Sequence, residues 1–542
     1  MKKIFLFLFF IGYLTGWPMS MKGQNHETST FKNPIISGFH PDPSICRVGN
    51  DYYLVTSSFE WFPGIPVFHS KDLMHWQQIG YVLNRPSQLQ MKDGLRHSNG
   101  LWAPTIRYHQ GKFYVICTAQ QAGGNFYVTA DKPEGPYSEP VFLTDAPGID
   151  PSLFFDEDGT CWYTGSINDT PEQDKYLNED RIYLQQLDLK QGKLIGERYI
   201  LTNGHAINAP YCEAPHIYKI NHKYYLVVAE GGTWENHAVS VFTADKITGP
   251  YTPGYANPVL THRHLGKNID ITTIGHADLV QTPQGDWWAV MLGVRPLKDY
   301  TMLGRETFLT PVSFQDGWPV FNPGVGRVLA TEKATGLPPV VFKKEPVRDE
   351  FDEDSLRFCW NFLRTPFEKW YQLENGKLII NVRPNSVSED TNPSLIARRI
   401  EHFNFTAQLS MEFNPRKQEE AGMIVLQNGS HHYKVVLCKD SNRNVIKLVK
   451  REGGKEETVA NIQWKTKKCF IKLVAQGLDY QFYIGDSEEN MQALGSKQDA
   501  SLNSSNKAGG FIGPFIGMYA SSNGEKSSNK AYFDFFEYQS NE

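Results

Sequence analysis

His40-Pro41-Asp42-Pro43-Ser44 opens a strand-like apolar run that turns at Val48-Gly49-Asn50-Asp51 and returns through Tyr52-Tyr53. The pattern comes back four times. Trp102-Ala103-Pro104-Thr105-Ile106 leads to Gln110-Gly111 and Phe113-Tyr114, and Ile149-Asp150-Pro151-Ser152-Leu153 leads to Glu157-Asp158-Gly159 and Trp162-Tyr163. Cys212-Glu213-Ala214-Pro215-His216 leads to Asn221-His222 and Tyr224-Tyr225, and Gly275-His276-Ala277-Asp278-Leu279 leads to Gln284-Gly285 and Trp287-Trp288. Taken at Asp42, Ala103, Asp150, Glu213 and His276, the starts lie 61, 47, 63 and 63 residues apart. That period suits a unit of about four strands, and self-similarity on this scale predicts a propeller, here with five blades.

The rest of the chain is read outward from these repeats. At 542 residues it exceeds one ordinary core, so at least two domains are expected. Residues 33–325 hold the repeats, as short apolar runs broken by Gly, Pro, Asn and Asp. Residues 326–347, with Leu337-Pro338-Pro339 and Lys343-Lys344-Glu345-Pro346, read as a linker. Residues 348–542 are again rich in short strands, from 377–382 through 405–413, 423–427, 433–437, 445–450, 470–475 and 480–484 to 531–538. They predict a β-sandwich of jelly-roll type. The fold class is therefore all-β, a propeller followed by a sandwich. A polar insertion at Asn168 to Asp180 interrupts the third repeat.

Lys2 and Lys3, an apolar run from Ile4 to Leu14 and small or polar residues through Gly23 have the layout of a signal peptide at 1–23. The run is short for a bilayer span, so the mature chain is expected to be exported, periplasmic or secreted, with no membrane span. A net charge of -5 offers no basic face for phosphates and argues against a nucleic-acid partner. The seven scattered cysteines show no zinc spacing and sit in apolar strand patterns, so no disulfide framework and no metal site are expected from them.

In a propeller the first strand of each blade lines the axis, so the starts of the repeats converge at one mouth. Asp42, Asp150 and Glu213 would meet there. Like charges raise one another's pKa, which suits hydrolysis by one carboxylate base and one protonated acid. A single Asp-Pro is an ordinary turn former, but three acids in register across repeats point to chemistry.

The residues Asn33-Pro34, His40-Pro41-Asp42-Pro43-Ser44, Gly148-Ile149-Asp150-Pro151-Ser152, Glu213-Ala214-Pro215-His216, Gly275-His276-Ala277 and Leu303-Gly304-Arg305-Glu306-Thr307 together resemble glycoside hydrolase family 43. The second domain resembles the sandwich appended in that family's β-xylosidases. The resemblance implies Asp42 as general base, Glu213 as general acid and Asp150 as the carboxylate that holds Glu213 and raises its pKa. It implies inversion, with base and acid roughly 6.5–9.5 Å apart. It also implies sugar contacts from Phe59, Trp102 and Ala103, hydrogen bonds from Arg305, and Thr233 near the same pocket. His276 is open between a structural role, a neighbour of Asp42 and a ligand to an axial Ca²⁺, although calcium prefers oxygen donors. Phe515, in Gly509-Gly510-Phe511-Ile512-Gly513-Pro514-Phe515, is the expected lid over the rim.

The function expected on this footing is an exo-acting β-D-xylosidase releasing xylose from xylo-oligosaccharides, with no cofactor required. The alternatives are an α-L-arabinofuranosidase on arabinoxylan or arabinan, a non-catalytic carbohydrate-binding propeller and an endo-acting arabinanase.

Overall fold

The computed structural model describes residues 29–169, 180–205, 210–266 and 268–542. The signal peptide expected at 1–23 and the middle of the insertion after Asn168 lie outside these residues. The chain is a five-bladed β-propeller followed by a two-sheet β-sandwich, and the only helical turns among the described residues are Ala500–Asn503 and Ser505–Ala508.

Each blade is a meander of antiparallel strands, starting on the axis with Ser44–Val48, Gly100–His109, Ile149–Phe155, Glu213–Ile220 and Thr272–Gln281. Apolar side chains fill the wedges between blades. Ile116, Tyr127, Tyr163 and Leu187 lie between the second and third blades, and Val227, Ile274, Met291 and Phe308 between the fourth and fifth. Every blade is built from consecutive sequence. The ring is closed by a clasp outside the blades: Thr30–Lys32 pairs with Thr331–Lys333, and Ile36 bridges to Thr307. Asn33 locks the clasp, its Nδ2 donating to the carbonyls of Leu309 and Leu329 at 2.9 Å each.

The inner strands share a distortion that decides where their side chains point. Asp42, Ala103, Asp150, Ala214 and His276 all have a left-handed backbone, with φ between 45° and 54°. Pairing slips at this point in blades two to five, between Trp102 and Thr105, Ile149 and Ser152, Glu213 and His216, and Gly275 and Asp278. A bulge of this kind re-aims the adjacent side chains. A proline follows in four of the five blades and loses no ladder bond there, because it has no N–H to donate. The shared conformation corrects the register read from the sequence. The fourth-blade counterpart of Asp42 and Asp150 is Ala214, and Glu213 stands one residue earlier, level with Trp102 and Ile149.

One step deeper, every blade contributes to a polar knot on the axis. Arg107 Nη1 donates to Asp278 Oδ2 at 2.8 Å, and its Nη2 lies 2.9 Å from His216 Nδ1. Ser44 Oγ donates to Asp278 Oδ2 at 2.6 Å, Ser152 Oγ lies 3.1 Å from His216 Nδ1, and Tyr218 Oη donates to Asp278 Oδ1. Burial alone would push Asp278 up, but the Arg107 guanidinium holds its carboxyl well below the usual range.

The sandwich has a six-stranded and a nine-stranded sheet. The longest of its strands unread from the sequence are Ser394–Arg399, Lys455–Gln463 and Phe515–Ser521. It is fused to the propeller. Trp61–Phe62 pairs antiparallel with Phe362–Leu363, and Arg399 Nε donates to the Phe39 carbonyl at 2.7 Å. One apolar cluster runs from Val55, Leu101 and Phe126 of the propeller into Trp360, Trp370 and Phe405 of the sandwich. All seven cysteines are free thiols, six of them buried.

Candidate active site

The five bulges open onto one pocket at the mouth of the propeller. Asp42, Phe59, Trp102, Ala103, Asp150, Glu213, Thr233, His276 and Arg305 all line it, so nine of the ten site residues expected from the sequence are brought together. The tenth is not. Phe515 is fully buried, starts a sandwich strand and stacks on Trp61 with ring centroids 3.6 Å apart. The sandwich residue that reaches the pocket is Phe511, four positions earlier in the same glycine-rich loop. Its amide donates to Ser98 Oγ at 2.9 Å. Gly510 makes this approach possible, since a Cβ there would lie 2.4 Å from Ser98 Oγ and 2.5 Å from His97 Nε2.

Asp42 is held by two donors. Arg305 Nη1 donates to its Oδ1 at 2.8 Å and Ser57 Oγ to its Oδ2 at 2.6 Å. Ser57 in turn accepts the Ala103 amide at 2.7 Å, which ties the first blade to the second under the pocket. The same Arg305 Nη1 donates to Thr233 Oγ1 at 3.1 Å, and its guanidinium lies over Phe59 and Phe511 at 5.6 and 5.8 Å. Arg305 is thus braced on four sides, with an Nε that finds no protein partner.

Glu213 and Asp150 are in the opposite condition. Burial, first, and then the charges of Asp150, Asp180 and Asp42 push Glu213 well above the usual carboxylate range. Burial and the charge of Asp42 push Asp150 up to about 7, against a single hydrogen bond from the Ala214 amide at 3.1 Å. Arg305 opposes both shifts and is the weaker influence on each. The pocket therefore holds a carboxylate that accepts two strong hydrogen bonds and, across from it, a carboxyl that burial and neighbouring charge push toward its protonated form. Such a split between two acids is the arrangement of general base and general acid.

His276 Nδ1 stands 3.8 Å from Asp42 Oδ1. Burial lowers its pKa and the charge of Asp42 raises it, with burial the larger effect. A calcium ion beside it would need several oxygen ligands. The oxygens of Asp42 already serve Arg305 and Ser57, and those of Asp278 below serve Arg107, Ser44 and Tyr218. Among the described residues no three His, Cys, Asp or Glu side chains are grouped to hold a metal ion. The donor set does not suit calcium, and the position next to Asp42 makes His276 a neighbour of that carboxylate.

Sequence reasoning missed Tyr211, Trp234 and His237, which also line the pocket, as well as Phe511. Tyr211 and Trp234 lie in loops outside the repeat, where periodicity gives no signal. Phe511 could have been found, since it shares its loop with the residue chosen in its place.

Comparison with known proteins agrees with this geometry. Residues 31–319 match the profile of glycosyl hydrolases family 43, and residues 348–539 that of the β-xylosidase C-terminal Concanavalin A-like domain. A xylosidase/arabinosidase of Butyrivibrio fibrisolvens is 41% identical over 93% of this chain and 98% of its own length. A non-reducing end alpha-L-arabinofuranosidase of Bacteroides ovatus is 38% identical over 94% of this chain and 95% of its own. The crystal structure of a xylan beta-1,4-xylosidase from Bacillus halodurans superposes with a TM-score of 0.88 at 34% identity, covering 94% of this chain and all of that one. The chain belongs to glycoside hydrolase family 43 and is a glycosidase of that family's two-domain, propeller-plus-sandwich form.

Proposed function

We propose that this enzyme releases single pentoses from the non-reducing ends of xylan-derived oligosaccharides with inversion, and that β-D-xylose is the preferred sugar. The observation that carries the reading is the division of labour in one pocket: Asp42 accepts hydrogen bonds from Arg305 and Ser57, while burial and neighbouring charge push Glu213 well above the usual carboxylate range. In the reaction, Asp42 takes a proton from water as the water oxygen attacks the anomeric carbon. The bond from that carbon to the leaving oxygen breaks, and Glu213 gives its proton to that oxygen. Afterwards Asp42 releases a proton to solvent and Glu213 regains one. Asp150 touches neither bond in this scheme. It is a positioning residue that orients the Glu213 segment through the Ala214 amide and discourages ionisation of Glu213 by its own charge.

Exo-action follows from the closed end of the pocket, where Phe511 of the sandwich meets Phe59 and Trp102 with centroids 6.3 and 6.0 Å away. A chain end fits such a pocket, and a chain interior needs an open cleft. Release of α-L-arabinofuranose is the second reading, favoured by the 38% identity to the Bacteroides ovatus arabinofuranosidase. No metal enters either scheme. Export is part of the proposal, on the strength of Lys2, Lys3 and the apolar run behind them.

The test is hydrolysis of 4-nitrophenyl β-D-xylopyranoside and 4-nitrophenyl α-L-arabinofuranoside side by side, with Asp42→Ala as control. Turnover that disappears in the variant supports the base, and the ratio of the two rates names the sugar. Proton NMR of the first-formed product should show inversion, and retention would overturn the mechanism. Glu213→Ala should lose more activity on natural oligosaccharides than on aryl glycosides, whose leaving groups need less protonation.

A further inference from the structure

Two large aromatic rings stand half in solvent at the lip of the pocket, and the acid–base chemistry uses neither. Tyr211 is 46% exposed and Trp234 51%. They meet edge to face at 6.0 Å and close over Gly232, where a Cβ would lie 2.8 Å from Trp234 and 2.9 Å from Tyr211. Tyr211 is also held in a left-handed backbone conformation, with φ at 60°. For a residue other than glycine this conformation is strained, and such residues gather at ligand sites. The neighbouring backbone fixes it, since the Gly231 amide donates to the Pro210 carbonyl at 2.7 Å.

These rings end an arc that begins on the pocket floor. Phe59, Trp102, Phe511, Trp234 and Tyr211 follow one another with centroid steps of 6.0, 6.0, 6.2 and 6.0 Å. Exposure rises along it, from the buried Phe59 to the half-exposed pair at the lip. The inner end lies under Arg305 and beside Asp42, where the sugar to be released would sit. The outer end lies on the side of Glu213, which follows Tyr211 by two residues. The oxygen that Glu213 protonates carries the departing part of the substrate, so the next sugar projects outward over the lip.

We propose that Tyr211 and Trp234 form the platform on which the departing sugar stacks, making them the residues that select the leaving group. The inference rests on the acid role of Glu213 given above. One ring face matches one apolar sugar face, and an arc of five rings is longer than a site for a single pentose requires.

The test uses the full chain as wild type, Trp234→Ala, Trp234→Phe and Tyr211→Ala. Each is assayed on xylobiose and on β-D-xylopyranosyl fluoride, whose leaving group is too small to reach the lip; if arabinose is the sugar released, arabinobiose and α-L-arabinofuranosyl fluoride replace them. Both alanine variants should raise KM for the disaccharide roughly tenfold while kcat/KM for the fluoride stays within about twofold. Trp234→Phe should recover most of the loss. Equal losses on both substrates, or no loss on the disaccharide, would overturn the platform. A wild type that cleaves neither fluoride nor disaccharide would instead overturn the exo-pentosidase reading, and the platform with it.

Discussion

Asp150→Asn should make this enzyme more stable and less active at neutral pH. The Asp150 carboxyl is pushed from 3.8 up to about 7, by burial first and by Asp42 second. At roughly 1.4 kcal/mol per unit, its ionised form costs the fold about 4 kcal/mol once the pH is above that value. The sign follows from linkage. A carboxyl whose folded value is raised contributes stability through its protonated form. That contribution is complete below 3.8 and is lost as the pH climbs to about 7. Asparagine has nearly the same shape, can still accept the Ala214 amide and never ionises. The variant should therefore unfold several degrees above the wild type near pH 8, with little or no difference near pH 4. Its activity should fall for the complementary reason. Without the charge of Asp150, Glu213 ionises at lower pH, and the alkaline limb of the rate profile moves toward acid. Thermal unfolding at the two pH values, together with rate profiles for both proteins, checks the argument. An equal difference in unfolding temperature at both pH values, or an alkaline limb that does not move, would refute it.

Phe511→Ala should raise KM and leave the unfolding temperature almost unchanged, whereas Phe515→Ala should cost about 3–5 kcal/mol of stability because it empties a fully buried stack; the reverse pattern would return Phe515 to the rim. Arg305→Lys keeps the charge and loses the fork, so kcat/KM should drop roughly ten- to a hundredfold, as for one charge-assisted hydrogen bond of about 1.5–3 kcal/mol. An unchanged kcat/KM would mean that the bond from Arg305 to Asp42 does not matter in turnover. Dialysis against a chelator should leave activity within about twofold, given the poor oxygen donor set beside His276. Loss of activity restored by calcium would place a metal on the axis.

The propeller was legible because its inner strands repeat a chemical pattern as well as a shape. In four blades a proline follows the bulge, so the same short word recurs at the start of each unit. The acids were legible for the same reason, although the alignment of Glu213 with Asp42 and Asp150 was one residue out. An X-Pro step shows where the bulge is but not which side chain it turns inward: Asp150 faces the pocket from the left-handed position itself, and Glu213 from the residue before it. The choice between Phe511 and Phe515 depended on packing. Phe515 opens a strand whose face meets Trp61, and no local signal distinguishes it from a ring on the preceding loop. Among the strands missed, Lys455–Gln463 is a largely exposed edge strand with little apolar alternation to read.

The join between the two domains bears on how such enzymes can change over evolutionary time. A catalytic unit whose whole cavity lies within one domain can be moved from gene to gene and keep its selectivity. Here the strand pairing of Trp61–Phe62 with Phe362–Leu363 fixes the sandwich in place, and Phe511 supplies a wall of the cavity from the far end of the chain. Recombination in the linker would separate the acids from that wall and leave a gutter open to chain interiors. Inheritance must keep the two halves together, and the shape of the cavity is within reach of a few substitutions in a loop that contributes none of the pocket's acids.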